Sequence, residues 1–399
     1  MSEFAEFFRR NLAQTSDAPL GLEIVRADGS WLIASNGARY LDLIAGIGVS
    51  ALGHGHPEVL AAIELQARRH LHVMVYGEYI IESQVRLARR LAELLPPQLS
   101  RVYFTNSGAE AIEGAMKAAR KFTGREGFVA FDGAYHGDTM GALALAGNPA
   151  FRAPFGALVG PVRHLRFGDE RALGDIDSTV AAVVVEPIQA EGGVRIPTTE
   201  FMRALRERCD RAGALLIFDE VLTGLGRTGK IFALEHFGVA PDIVVMAKAL
   251  GGGLPLGGFS GRDQIIGTLS HDPPLGHITT FGGHPLSCAA GLASLNVIVR
   301  ERLYERAASL GAEIVGRLEA IGSPEIAAVR GLGLLIGIEF HSANIAHKFV
   351  AAMLARSVVV NWTLNADNVV RLAPPLNISR DEVDFALEAM RQALEATLP

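Results

Sequence analysis

The sequence has little cysteine, no block of like charges and no long apolar run, and each shortage excludes a class of protein. Its two cysteines, Cys209 and Cys288, lie far apart in the chain, which excludes a disulfide framework and a cysteine-based metal knuckle. The 37 basic and 43 acidic residues give a net charge of −6 and form no basic stripe, so no nucleic-acid partner is expected. The longest stretch without Asp, Glu, Lys or Arg, Pro273–Val299, contains three prolines and two histidines and is a poor membrane span.

The N-terminal sequence MSEFAEFFRRNL lacks the apolar segment of a signal peptide. Together with the cysteine usage, this predicts a protein of the cytoplasm with no membrane partner. Hydrophobic residues make up 49% of the chain, which is enough for a large core and excludes global disorder. Lysine is also scarce: the five lysines of the chain are Lys117, Lys121, Lys230, Lys248 and Lys348.

The first hundred residues combine short strands with helices. Residues 22–45 predict strands separated by the hairpin dipeptides Asp28-Gly29 and Asn36-Gly37. Apolar residues then recur with helical spacing over Pro57–Arg69 and Ser83–Leu95.

From residue 100 onward, apolar runs of four or five residues alternate with helical patterns. Such runs suit strands that are buried on both faces, and the alternation predicts a mainly parallel α/β sheet. Beyond residue 300, strand-rich segments between two helices predict a smaller α/β domain. The runs are Val102–Thr105, Gly127–Phe131, Ala181–Val185, Ala214–Phe218 and Ile243–Met246, and the predicted helices are Ala109–Lys121, one from about Gly137, Arg302–Ile321 and Arg380–Thr397.

Polar residues follow the predicted strands, at the edge of a parallel sheet where ligands bind. Ser107 opens a helix, which suits either a bound anion or an ordinary N-cap. Lys248 lies between the apolar segment IVVMA and the small-residue segment ALGGG. One interpretation is a lysine with a lowered pKa that attacks carbonyl groups. The other is a lysine at a strand end whose side chain reaches water. Asp219 is either the partner of a protonated cofactor ring nitrogen or part of a cap or a buried ion pair.

Two further motifs are weak. The segment Gly224–Lys230 has the glycine spacing of a dinucleotide fingerprint and of part of a phosphate loop. Ile231 stands where the phosphate loop needs Ser or Thr, and Asp219–Thr223 separate the motif from the preceding strand. The pairs His54/His56 and His70/His72 are spaced two apart, which does not place them on one helical face, so no metal site is predicted.

Nine segments, in chain order, resemble one known family. Each is weak alone, but their order over about residues 20–395 resembles the class III pyridoxal-phosphate aminotransferases of the acetylornithine, ornithine and 4-aminobutyrate group. The segments are LDLIAGIGVSALGHGHP, FTNSGAEAIEGAMKAARK, FDGAYHGDT, VVVEPIQAEGG, LLIFDEVLTGLGRTG, PDIVVMAKALGGGLPLGG, TTFGGHPLSCAA, VRGLGLLIGIEF and VVRLAPPL.

The resemblance implies an α/β protein of fold type I with pyridoxal 5'-phosphate as cofactor. It implies a large cofactor-binding domain over residues 51–300 with a mainly parallel seven-stranded sheet. A smaller α/β domain would cover residues 301–399, and an N-terminal segment, residues 1–50, would pack with it. It also implies a homodimer whose active sites lie at the subunit interface.

The same resemblance implies roles for individual residues. Lys248 would hold the cofactor covalently and move protons, and Asp219 would pair with its ring nitrogen. The remaining cofactor-binding residues would be Ser107, Gly108 and Ala109 at the phosphate, Thr280 of the neighbouring subunit at the same phosphate, Tyr135 and Val221 on the two ring faces, and His136 and Glu186.

The predicted reaction is a ping-pong transfer of an amino group from an ω-amino or related donor to 2-oxoglutarate. Arg371 resembles the family arginine that holds the acceptor's carboxylate, and Glu191 resembles the glutamate that neutralises it when the donor lacks that carboxylate; the alternative is a structural ion pair. Asp138, Leu222 and His284 stand where acetylornithine and ornithine enzymes have arginine, glutamine and asparagine, so the donor stays open. Two other hypotheses are a racemase or aminomutase of the same class and, more remotely, a nucleotide-binding enzyme that uses the Gly224–Lys230 loop.

Overall fold

The computed structural model describes residues 3–397. Its helices are α1 (Glu3–Asn11), α2 (Ala45–Gly48), α3 (Pro57–Arg69), α4 (Glu82–Leu94), α5 (Gly108–Thr123), α6 (Met140–Ala144), α7 (Pro149–Arg152), α8 (Thr199–Ala212), α9 (Leu234–Phe237), α10 (Asp263–Ile266), α11 (Pro285–Arg300), α12 (Leu303–Ile321), α13 (Ala343–Ala355) and α14 (Arg380–Thr397). Its strands are β1 (Ile24–Asp28), β2 (Trp31–Ala34), β3 (Arg39–Asp42), β4 (Arg101–Thr105), β5 (Gly127–Phe131), β6 (Val162–Leu165), β7 (Val180–Val185), β8 (Leu215–Asp219), β9 (Ile243–Met246), β10 (Gly257–Gly261), β11 (Ile326–Leu332), β12 (Leu335–Phe340), β13 (Val358–Val359), β14 (Asn361–Trp362) and β15 (Val369–Leu372).

A seven-stranded sheet with the order β4-β10-β9-β8-β7-β5-β6 forms the centre of the molecule. Strands β9, β8, β7, β5 and β6 pair in parallel, and β10 runs antiparallel to both of its neighbours. The mainly parallel α/β sheet that the sequence predicts is therefore confirmed.

Both faces of this sheet are buried, which explains why its strands are apolar along their whole length. Alternate residues of β7 point to opposite faces. Ala182 and Val184 belong to the apolar cluster that contains α5, whereas Val183 and Val185 belong to the cluster that contains Phe201 of α8. The carboxyl ends of the parallel strands are left free to carry polar residues at one edge.

Two smaller sheets of four strands accompany the central sheet, and one of them joins the two ends of the chain. Their orders are β1-β2-β3-β13 and β11-β12-β15-β14. Strand β3 pairs in parallel with β13, so the N-terminal segment shares a sheet with a strand from beyond residue 300. Trp31 strengthens this junction: its Nε1 donates to Glu382 at 2.8 Å, and its ring lies 5.7 Å from that of Phe385 in α14.

Several elements differ from the sequence-based expectations, among them one helix and two strands of the central sheet. The helix expected from about Gly137 begins three residues later, at Met140, and ends at Ala144. Gly137 has a φ of +119°, which no helix contains, and Thr139 precedes the helix in an extended conformation. Strands β6 and β10 were not predicted, because the sequences VRHL and GGFSG lack a continuous apolar run. None of the helices within residues 3–397 has the length and apolar character needed to cross a bilayer.

Candidate active site

A cavity of about 480 Å³ lies at the edge of the central sheet, among residues that follow the carboxyl ends of its parallel strands. Ten of the twelve predicted site residues line it: Ser107, Gly108, Ala109, Tyr135, His136, Glu186, Glu191, Asp219, Val221 and Lys248. Arg371 lies behind Glu191 and does not line the cavity, and Thr280 is exposed and outside it. The topology therefore brings together residues that are up to 141 positions apart in the sequence.

Lys248 follows β9 and projects into the cavity wall with a strained backbone, since its φ is +48°. Its Nζ makes no hydrogen bond or ion pair within residues 3–397. Burial lowers the pKa of this ammonium, and the charge of Arg371 lowers it further. Together these two effects outweigh the nearby carboxylates, which raise the pKa. A lowered pKa increases the share of uncharged amine, which is the nucleophilic form.

Asp219, at the end of β8, forms a buried pair with His136. Asp219 Oδ2 lies 2.7 Å from His136 Nδ1, and Oδ1 accepts a hydrogen bond from the Val221 amide at 2.9 Å. Burial lowers the pKa of His136, but the hydrogen bond and charge of Asp219 outweigh this effect and the net pKa is raised. His136 Nε2 is buried without a partner among the described residues. The pair thus places a fixed negative charge, backed by a histidine, at the cavity wall.

Glu186, after β7, ties two loops of the site together. Its Oε1 accepts from the Tyr135 amide at 3.1 Å and its Oε2 from the Ala190 amide at 3.0 Å. Burial raises the pKa of this carboxyl to about 7. Glu186 consequently holds the backbone on both sides of the cavity and carries only part of a negative charge near neutral pH.

The N-terminus of α5 reaches the cavity through Ser107, Gly108 and Ala109. Ser107 is the N-cap residue, and its side chain accepts from the Glu110 amide at 3.2 Å, as the capping interpretation expects. A Cβ at Gly108 would lie 3.1 Å from a methyl group of Val221, so glycine lets the start of the helix approach the β8 loop closely. Free amides and the helix dipole favour a phosphate at this place.

Arg371 on β15 is almost fully buried, at 1% exposure, and its Nη1 donates to Glu191 Oε1. Its Nε and Nη2 have no partner in the described part of the chain. Burial raises the pKa of Glu191, but the charge of Arg371 outweighs this and the net pKa is lowered. Arg227 is also buried, and desolvation followed by the charge of Arg371 lowers its pKa to about 9. Two buried guanidinium groups therefore lie close enough for the charge of Arg371 to act on Arg227.

The three positions that depart from the acetylornithine and ornithine pattern lie in different surroundings. Asp138 and Leu222 line the cavity, and Asp138 Oδ2 accepts from the Tyr135 hydroxyl at 2.9 Å. His284 lies outside the lining and stacks on His72, with ring centroids 5.5 Å apart. Asp138 and Leu222 are therefore the departures that can contact a substrate in this cavity.

Sequence reasoning missed several lining residues. Asn106, Val49 and the segment Leu254–Leu256 also face the cavity. Asn106 is adjacent to Ser107 and could have been included with it. Val49 and Leu254–Leu256 come from loops, and only the neighbouring glycine clusters mark these loops in the sequence.

The Gly224–Lys230 loop does not form a phosphate cradle. Its amides are used internally, since Gly226 donates to Ile231 O and Gly229 donates to Gly226 O, each at 3.2 Å. Arg227 donates to the carbonyl oxygens of Leu334 and Pro374. The loop instead packs against the C-terminal region. No group of three or more His, Cys, Asp or Glu within residues 3–397 is arranged to hold a metal ion.

The family model described as "Aminotransferase class-III" matches residues 12–394. The chain belongs to this family and is therefore a transferase that moves amino groups between an amino donor and an oxo-acid acceptor with pyridoxal phosphate as cofactor.

Known relatives cover nearly the whole chain. The acetylornithine aminotransferase of Methanopyrus kandleri is 44% identical over 375 residues, 94% of each protein. The putrescine aminotransferase of Pectobacterium atrosepticum is 40% identical over 98% of this chain and 86% of its own length. Among solved structures, the ornithine aminotransferase from Toxoplasma gondii has a TM-score of 0.90 at 32% identity, covering 99% of this chain and 94% of that one. An (S)-enantioselective omega-transaminase from Thermomicrobium roseum has a TM-score of 0.91 at 34% identity, covering 99% and 98%.

The residues present fit pyridoxal phosphate. The cofactor needs a reactive amine, a carboxylate for its ring nitrogen and an anion site for its phosphate. The cavity offers Lys248, the buried Asp219 and the N-terminus of α5. The buried, unpartnered Nε2 of His136 is a further polar group that a ligand can satisfy.

Proposed function

We propose that the protein transfers an amino group from an ω-amino or related donor to 2-oxoglutarate by a ping-pong mechanism. When bound, pyridoxal phosphate supplies the electron sink for this exchange. Lys248 would hold it covalently, Asp219 would pair with its ring nitrogen, Tyr135 and Val221 would pack on its ring, and the start of α5 would bind its phosphate. The observation that carries this proposal is Lys248, with its lowered pKa, in one cavity with the His136–Asp219 pair.

Each residue has a task that follows from its surroundings. Burial and the charge of Arg371 lower the pKa of Lys248, and in its uncharged form Nζ can take a proton from the donor carbon that bears nitrogen. Asp219 is held in place by its contacts with His136 and with the Val221 amide. Glu186 fixes the Tyr135 loop, and the apolar Val221 and Leu222 limit the access of water to the reacting groups.

Arg371 supports the choice of a dicarboxylic oxo acid as acceptor. An anion that displaced Glu191 would satisfy the unpartnered Nε and Nη2 of Arg371. When the donor brings no second carboxylate, Glu191 keeps the guanidinium paired, which avoids an uncompensated buried charge. This exchange would let one pocket accept two substrates of different charge.

A homodimer is part of the proposal. Large apolar side chains are exposed beside Thr280 in the sequence, where Ile278 and Phe281 are each about half exposed, and Ile80 is 95% exposed. A patch of this kind is typical of a protein interface. A second copy that covered it would bring Thr280 towards another subunit's cavity. We expect light scattering to give a mass near twice 42.5 kDa, and a monomer would contradict this part of the proposal. We also propose a cytoplasmic location, on the strength of the two buried, unpaired cysteines.

The proposal is tested by adding pyridoxal phosphate to the purified protein. We expect a visible absorbance band that is absent in Lys248→Ala, and glutamate formation when an amino donor and 2-oxoglutarate are both present. Loss of the donor's chirality without any nitrogen transfer would instead support a racemase or an aminomutase. A wild-type protein that takes up no cofactor would refute the proposal.

A further inference from the structure

Asp138 is an exposed carboxylate on the cavity wall that has no cation to pair with. Its Oδ2 accepts from the Tyr135 hydroxyl, and its Oδ1 has no hydrogen-bond partner among residues 3–397. No basic side-chain nitrogen lies within 4.0 Å of it in the same part of the chain.

The other carboxylates of the cavity already have partners. Asp219 pairs with His136, and Glu191 pairs with Arg371. Glu186 accepts two backbone amides and has its pKa raised to about 7 by burial. Asp138 alone is therefore left as a net negative charge at the wall.

The charged groups that act on the Tyr135 hydroxyl are carboxylates. Burial raises the pKa of the Tyr135 hydroxyl, and Asp138, Glu191 and Asp219 each raise it further. A substrate carboxylate placed beside this hydroxyl would be repelled by the unpaired charge of Asp138, whose Oδ2 lies 2.9 Å from the hydroxyl oxygen. An ammonium group would instead be attracted and could donate to the free Oδ1 of Asp138.

We propose that Asp138 determines donor specificity by binding a second ammonium group, so that the site selects α,ω-diamines over donors with a carboxylate or a methyl group at that end. This inference rests on the proposed function, because it assigns the donor class of the same site. In the exchange, the carbon that loses nitrogen is oxidised to an aldehyde, and the oxo carbon of the acceptor gains the nitrogen and is reduced to an amino-acid carbon. The second ammonium of the diamine stays intact on Asp138.

The test compares diamines with monoamines of the same length. Glutamate formation from 2-oxoglutarate is measured with 1,4-diaminobutane against n-butylamine and with 1,5-diaminopentane against n-pentylamine. For the wild type we expect kcat/KM to be at least about fivefold higher for each diamine, in the range of a partly exposed charge-assisted contact. Asp138→Asn should bring this ratio close to 1 by lowering kcat/KM for the diamines only.

Two matched variants separate the proposed role from others. Tyr135→Phe removes the hydrogen bond to Asp138 but keeps its charge, so the preference for diamines should persist. Glu64→Gln removes an exposed carboxylate on α3, outside the cavity, and should leave all four rates unchanged. The cofactor absorbance of each variant reports whether its site is intact.

Three results would overturn the inference. One is a wild type that uses monoamines as well as diamines, and a second is an unchanged ratio in Asp138→Asn. The third is a loss of preference in Tyr135→Phe equal to that in Asp138→Asn, which would make Asp138 a positioning residue for the tyrosine. Each of these leaves the aminotransferase reaction standing, whereas the absence of glutamate with every donor refutes the proposed function itself.

Discussion

Replacing Arg371 with glutamine tests how the site recognises its acceptor. The guanidinium is 1% exposed, and two of its nitrogens have no partner within residues 3–397. A hydrogen bond between charged groups contributes about 1.5–3 kcal/mol, which corresponds to about 10- to 150-fold in rate. We therefore expect Arg371→Gln to lower kcat/KM for 2-oxoglutarate by that factor and to leave kcat/KM for pyruvate, which has no second carboxylate, nearly unchanged.

The single variant also leaves Glu191 as a nearly buried carboxylate without a cation, which costs up to about 3–5 kcal/mol of stability. The double variant Arg371→Gln/Glu191→Gln removes both charges and should regain most of the lost melting temperature. In the double variant, kcat/KM for 2-oxoglutarate should stay low while kcat/KM for pyruvate stays nearly unchanged. The assay is glutamate or alanine formation from one donor at saturating concentration. An equal loss with both acceptors, in the single and the double variant, would refute the role given to Arg371.

Three further predictions follow from the site. The reaction of the apoprotein with pyridoxal phosphate needs uncharged Lys248, so its rate should rise with pH and reach its plateau below the usual lysine pKa of 10.5. Arg371→Gln removes the neighbouring positive charge, so stopped-flow absorbance should show the midpoint of this pH–rate curve at a higher pH. Asp219→Asn should fold but lower turnover at least about 100-fold, equivalent to about 2.7 kcal/mol. An NMR titration should show a lower pKa of His136 in this variant, because the contact with the carboxylate is lost. Normal turnover would contradict the role given to Asp219. In Gly48→Ala, a Cβ would lie 2.3 Å from Leu222 Cδ1 at a φ of +76°, so we expect a loss of about 1–3 kcal/mol in thermal unfolding, partly regained with Leu222→Ala.

The strands that carry the site were predictable because burial on both faces leaves a clear pattern. The runs ending at Asp219 and Met246 are fully buried, and the residues after them reach one edge through parallel pairing. Strand β10 was not predictable in this way, because GGFSG has the composition of a loop and becomes a strand only between β4 and β9.

Some residues of the site could likewise be predicted from the sequence, and others could not. Lys248 and Asp219 follow apolar runs, so the sheet topology alone brings them to the same edge. Arg371 lies more than a hundred residues further on, in a different sheet, and only the family resemblance connected it with Glu191. The contribution of Val49 depends on the left-handed turn at α2, where successive residues have positive φ, and neither propensity nor periodicity predicts such a turn.

The most direct test of the account is to identify the lysine that holds the cofactor. The protein is incubated with pyridoxal phosphate, reduced with borohydride and digested, and the peptides are mapped by mass spectrometry. The chain provides its own controls, because it has four other lysines. The account predicts one reduced adduct per chain, on Lys248, and none in Lys248→Ala. An adduct on any of the other four lysines, with Lys248 unmodified, would contradict it.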